Sequence, residues 1–142
     1  MNAKWLTVNG TLFAIMLAAA GCAAMSQGQR FNVTLSGAQE VPPIATQASA
    51  TARVTVADDM SVSVSVTTSG IAATAAHIHM AAAGANGPVI VPFVKSGDNS
   101  FTAQPGAKLT AAQFEALKKG GLYVNVHSAA HPGGEIRAQL VP

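Results

Sequence analysis

The chain is 142 residues long, 49% hydrophobic and only 10% charged, with a formal net charge of +2 at pH 7. Eight Lys and Arg residues against six Asp and Glu, with Lys118-Lys119 the only basic pair, give no footprint for a nucleic-acid partner. The single cysteine excludes an intrachain disulfide, the sparse carboxylates offer no acid/base pair, and this length holds one domain.

Residues 1–21 read as an export signal. Lys4 is the only charge before Arg30, and the apolar run from Thr11 to Ala20 leads into small residues. That run is too short to cross a bilayer, which takes about 20 apolar residues. Cys22 follows Ala19-Ala20-Gly21, which resembles a bacterial lipobox with Ala19 where leucine is usual. The resemblance implies acylation of Cys22, a membrane attachment through the N-terminal lipid, and a place in the bacterial cell envelope. Ordinary cleavage after Ala20 or Ala24 is the alternative. Residues 22–30 read as a tether and 31–142 as the folded domain.

From Phe31 onward the hydropathy alternates with period two. Phe31, Val33 and Leu35 share a face, then Val54 and Val56, then Val62, Val64 and Val66 against serines and a threonine. Further strands are expected at 74–80, 88–94, 99–103, 122–128 and 134–141. Turn signals such as Asp58-Asp59, Ser69-Gly70 and Pro132-Gly133-Gly134 separate them. One helix is expected near 110–119, where Thr110 and Gln113 form a capping box and Gly120-Gly121 ends it. Ala81–Ala85 reads as a loop. The expected fold is all-β, a Greek-key sandwich or barrel of about eight strands with one short helix.

All four histidines fall in two segments, Ala76-His77-Ile78-His79 and Asn125-Val126-His127-Ser128-Ala129-Ala130-His131. Strand parity puts His77 and His79 on one face with Ile78 on the other, and His127 on the polar face of its own strand. Neutral imidazole is the commonest ligand for transition metals. His77, His79 and His127 are therefore candidate ligands of one ion, and His131 could close the site from the following loop. Asn125 and Glu135 are candidates to orient the ligands by hydrogen bonds. Parity also places Arg137 on the outward side, as a candidate guide for an anion or as an ion-pair partner of Glu135 or Glu40.

The segments Leu35-Ser36-Gly37-Ala38-Gln39-Glu40-Val41-Pro42-Pro43, Ala76-His77-Ile78-His79, Asn86-Gly87-Pro88-Val89, Tyr123-Val124-Asn125-Val126-His127 and Pro132-Gly133-Gly134-Glu135-Ile136-Arg137 resemble a chordin-type (CHRD) domain across 31–142. Ser128 stands where that family usually has threonine, and Ala138 where it has glycine. The resemblance implies a secreted all-β domain and says little of activity. A more distant likeness concerns the histidines: an outward His-x-His with later histidines is similar to the copper site of Cu/Zn superoxide dismutases.

Imidazoles without a thiolate favour copper, the peak of the divalent affinity order, with zinc as the alternative. Asp58, Asp59 and Asp98 have no histidine neighbours, which points to one copper per chain rather than a dinuclear pair. The leading expectation is an envelope-anchored copper protein acting on superoxide. The alternatives are a copper or zinc storage or delivery protein without turnover, and a metal-free adhesion or binding module.

Overall fold

The computed structural model describes residues 28–142. The expected leader and Cys22 lie outside the described residues. Eight strands and one α-helix follow in order: β1 (Gln29–Ser36), β2 (Ser49–Val56), β3 (Val62–Ser69), β4 (Ala73–Met80), β5 (Val89–Gly97), β6 (Ser100–Ala103), α1 (Ala111–Lys118), β7 (Leu122–Ser128) and β8 (Ile136–Leu140). A 3-10 turn, Gly37–Gln39, follows β1. β1 begins at Gln29, two residues ahead of Phe31.

The strands close into a barrel in the order β1-β2-β3-β6-β5-β4-β7-β8. All pairings are antiparallel, and β8 meets β1 through Ser36 and Arg137. The chain leaves β3, crosses the barrel, and returns through the β4-β5-β6 meander so that β6 lies beside β3. That crossover is a Greek key, as the alternation and turn spacing predict.

Alternation decides which side chains fill the barrel. On β2 and β3, Ala50, Ala52, Val54, Val56, Val62, Val64 and Val66 are buried while their neighbours face water. Ile78, Val91, Phe101, Leu122, Val124, Val126, Ile136, Ala138 and Leu140 complete the interior from the other strands. β7 departs from the pattern, because every residue from Leu122 to Ser128 is buried. Its inward residues meet the core. Its outward ones, Tyr123, Asn125 and His127, are covered by segments outside the barrel wall.

The helix has the expected cap. Gln113 N donates to Thr110 Oγ1 (3.2 Å), and Thr110 N donates to Gln113 Oε1 (2.8 Å). Leu117 is fully buried, and Phe114 packs against the core from its edge.

Candidate metal centre

Adjacent strands β4 and β7 carry the three imidazoles. Antiparallel pairing sets His77 opposite Asn125, His79 opposite Tyr123, and His127 opposite Ala75, so His127 lies diagonal to His77 on the same outward face. On the other side of β4 the register with β5 slips by one residue between Ile78 and His79, a local irregularity of the kind that re-aims side chains. His77, His79 and His127 thus converge, with one ring nitrogen from each lying within 4.8 Å of the others.

The hydrogen bonds around these rings fix which nitrogen is free. His127 Nδ1 lies 3.0 Å from the Pro132 carbonyl oxygen, and His79 Nδ1 lies 2.9 Å from that of Gly87. A carbonyl can only accept, so both rings carry their proton on Nδ1 and present a bare Nε2. His77 Nδ1 stands 3.0 Å from His127 Nε2. Two nitrogens that share an ion at about 2 Å each stand about 3–3.5 Å apart, so this separation fits a common ion.

His79 Nε2 is buried and has no hydrogen-bond partner. An orphaned polar atom costs roughly 1–3 kcal/mol, and a cation at the triad relieves that cost. Taking up a cation asks for one internal change, transfer of the His77 proton away from Nδ1.

Burial keeps the rings neutral. Desolvation, with the neighbouring His127 and His79, lowers the His77 pKa to about 4. Burial lowers His79 and His127 as well, against the opposing pull of the Gly87 and Pro132 carbonyls. Neutral imidazole is the metal-binding form, so the site is ready for an ion at ordinary pH.

Other expectations need correction. The outward parity of His79 and His127 holds, yet they are only 8% and 9% exposed, because loops lie over this face. His131 stays outside the triad. Its backbone N–H donates to Ser128 Oγ (3.2 Å), and its side chain borders a cleft shared with Glu40, Pro42 and Gly133. Asn125, Glu40 and Glu135 make no hydrogen bond to a triad ring among the described residues. Asn125 Nδ2 donates to Glu40 Oε1, and Glu135 accepts from Ser128 Oγ and from Thr46 Oγ1 (2.7 Å).

For Arg137 parity gives the right face but not the burial. It points away from the core, but the 81–88 segment seals it to 1% exposure. Its guanidinium donates to Asn86 Oδ1 (3.2 Å), the Ala82 carbonyl (3.4 Å) and Gln139 Oε1 (3.0 Å). Its Cζ lies 3.4 Å from the Tyr123 ring centroid. A cation so enclosed is poorly placed to guide a diffusing anion; among the described residues it makes no ion pair within 4.0 Å, and Glu40 acts on it only as a nearby charge.

Of the groups that orient the ligands, the alternation places Tyr123 on the right face but does not reveal the two carbonyls. Gly87 and Pro132 act through backbone oxygens, and Tyr123 stacks on His79 with centroids 4.9 Å apart and planes 8° from parallel. The sequence signals for the two carbonyls are a proline-bearing turn near each histidine strand, Gly87-Pro88 and His131-Pro132, and their place in the segments that resemble the family. Gly87 must lack a side chain, because a Cβ there would collide with the Met80 carbonyl.

A family model of the CHRD domain matches residues 31–140. No curated protein and no solved structure matches the chain.

Proposed function

The chain belongs to the CHRD-domain family, and from that premise we propose that it is a copper-binding protein whose three-imidazole site on β4 and β7 acts on superoxide. The observation that carries the metal reading is the buried, unpartnered Nε2 of His79, in a cluster whose other rings lie within ligand distance. Copper is the ion that a thiolate-free imidazole set selects most strongly; zinc is the alternative.

His79 and His127 would hold the ion through Nε2, each ring fixed by the carbonyl that accepts its Nδ1 proton. His77, half-buried, would supply Nδ1. When bound, copper supplies one-electron cycling between Cu(II) and Cu(I). Three protein ligands would leave a coordination position for a small molecule, the pattern of sites that do chemistry rather than hold structure. The proposal includes export and lipid attachment at Cys22, which would set the site in the cell envelope.

Burial of Arg137 favours a second reading, storage or delivery of copper without turnover, since the cation placed to guide superoxide is enclosed. Superoxide consumption by the copper-loaded chain separates the two. The first reading predicts consumption well above free buffer, abolished by His77→Ala or His127→Ala. Binding of copper with consumption no faster than buffer leaves delivery as the function.

A further inference from the structure

Arg137 is the largest of the fully buried side chains. Ile136 and Ala138 on either side of it belong to the core, so the guanidinium lies on the outer face of β8, under cover. Burying a cation costs several kcal/mol unless it is well compensated, and an apolar side chain would cover Tyr123 as well. Packing alone therefore does not account for an arginine here.

Its partners all lead to one ligand. Strand order β4-β7-β8 puts Tyr123 between His79 and Arg137. A guanidinium 3.4 Å above the ring and an imidazole stacked on that ring at 4.9 Å cannot share a face, so the three groups form a column: guanidinium, phenol, imidazole. Of the other partners, Asn86 and Ala82 belong to the 81–88 segment, and Gln139 on β8 itself donates to the Ala81 carbonyl of that segment. In that segment Gly87 takes the His79 Nδ1 proton on its carbonyl and gives its own N–H to the Tyr123 hydroxyl (3.1 Å). One side chain thus grips both supports of His79.

Resting on the copper reading above, we infer that Arg137 is a positioning residue of the metal centre. Through Tyr123 and the 81–88 segment it holds His79 with Nε2 free, and its fixed positive charge behind the stack favours the reduced ion over the oxidised one. The charge effect follows from electrostatics in a desolvated setting, where a cation stabilises the state of lower positive charge. The positional effect needs a planar fork that stacks and donates at once, which lysine lacks.

The test uses the full chain, copper ions as the probe, and Arg137→Gln and Arg137→Lys. Both variants are expected to lose roughly 10–100-fold in affinity for each oxidation state, the usual cost of removing an orienting partner. Lysine keeps the wild-type ratio of Cu(I) to Cu(II) affinity, whereas glutamine moves it toward Cu(II) by about tenfold. An Arg137→Gln protein with wild-type affinity, or with an unchanged ratio, overturns the inference. Nitrogen NMR of the metal-free protein tests the positioning without copper. Wild type shows His79 protonated on Nδ1 alone, and Arg137→Gln shows a mixture of tautomers; a single Nδ1–H form in the variant overturns the inference. Should Arg137→Gln fail to fold, Tyr123→Leu removes the ring between the two groups and must release His79 in the same way, or the inference fails. A wild-type chain that keeps the single tautomer but binds no copper sinks the copper reading and leaves the positioning intact.

Discussion

His77 shows at the scale of one residue how burial and protonation are linked. Its folded pKa is about 4, against about 6.5 for an exposed histidine. Between those values the unfolded chain binds more protons than the folded one, so stability rises with pH across the window. The contribution is whole above about pH 6.5 and is lost as pH falls toward 4. His79 and His127, lowered in the same direction, add to it. Denaturant titrations of the metal-free protein at a series of pH values should show a steep acid limb that is shallower in His77→Gln. Superimposable limbs would contradict the burial account. On the proposed reading, in which copper binds the folded state, added copper should push acid unfolding to lower pH.

Arg137 marks where reading single residues stops. Parity places it correctly on the outer face, yet exposure does not follow from parity. What covers it is the 81–88 segment, held by Asn86 Nδ2 to the Val41 carbonyl (2.7 Å) and by Gln139 Nε2 to the Ala81 carbonyl (2.8 Å). Those contacts join residues dozens of positions apart, and no local period encodes them. The same holds for the Gly87 and Pro132 carbonyls, whose identity as glycine and proline says nothing of where their oxygens go.

Elements were legible where the signal is local. The Val62–Val66 alternation, the capping box and the glycine stop of α1 each rest on neighbours within a few residues. Thr110→Ala should therefore cost about 1 kcal/mol through the lost cap, read as a fall in denaturation midpoint with copper affinity unchanged. A loss of copper affinity would tie α1 to the site in a way the fold does not. The 81–88 connection is the opposite case, since its role comes from close approach. A Cβ at Gly87 would strike the Met80 carbonyl and the Ala81 side chain, so Gly87→Ala must move the loop off His79. It should lower stability by about 1–3 kcal/mol and copper affinity by roughly 10–100-fold. Gly84→Ala is the control: nothing lies near its Cβ, and only its positive φ of 79° is strained. It should cost about 1–2 kcal/mol and leave copper binding alone; equal copper losses in the two variants would refute the loop's role.

Across the whole molecule, the same strands present a packed core on one face and the three imidazoles on the other. Ile78 fills the interior while His77 and His79 beside it look outward, so core and site are separable by design of the pleat. Ile78→Ala should cost about 2–5 kcal/mol while the folded fraction keeps its copper affinity. The claim that joins these scales is that three imidazoles from two strands hold one copper ion. Element analysis with a spin-resonance spectrum of the copper-loaded chain tests it most directly. The account predicts one copper per chain, coupling to three ligand nitrogens, loss of that signal in His77→Ala, His79→Ala and His127→Ala, and an unchanged spectrum in His131→Ala. A chain that retains no copper, or one whose copper spectrum depends on His131 and not on His79, would contradict it.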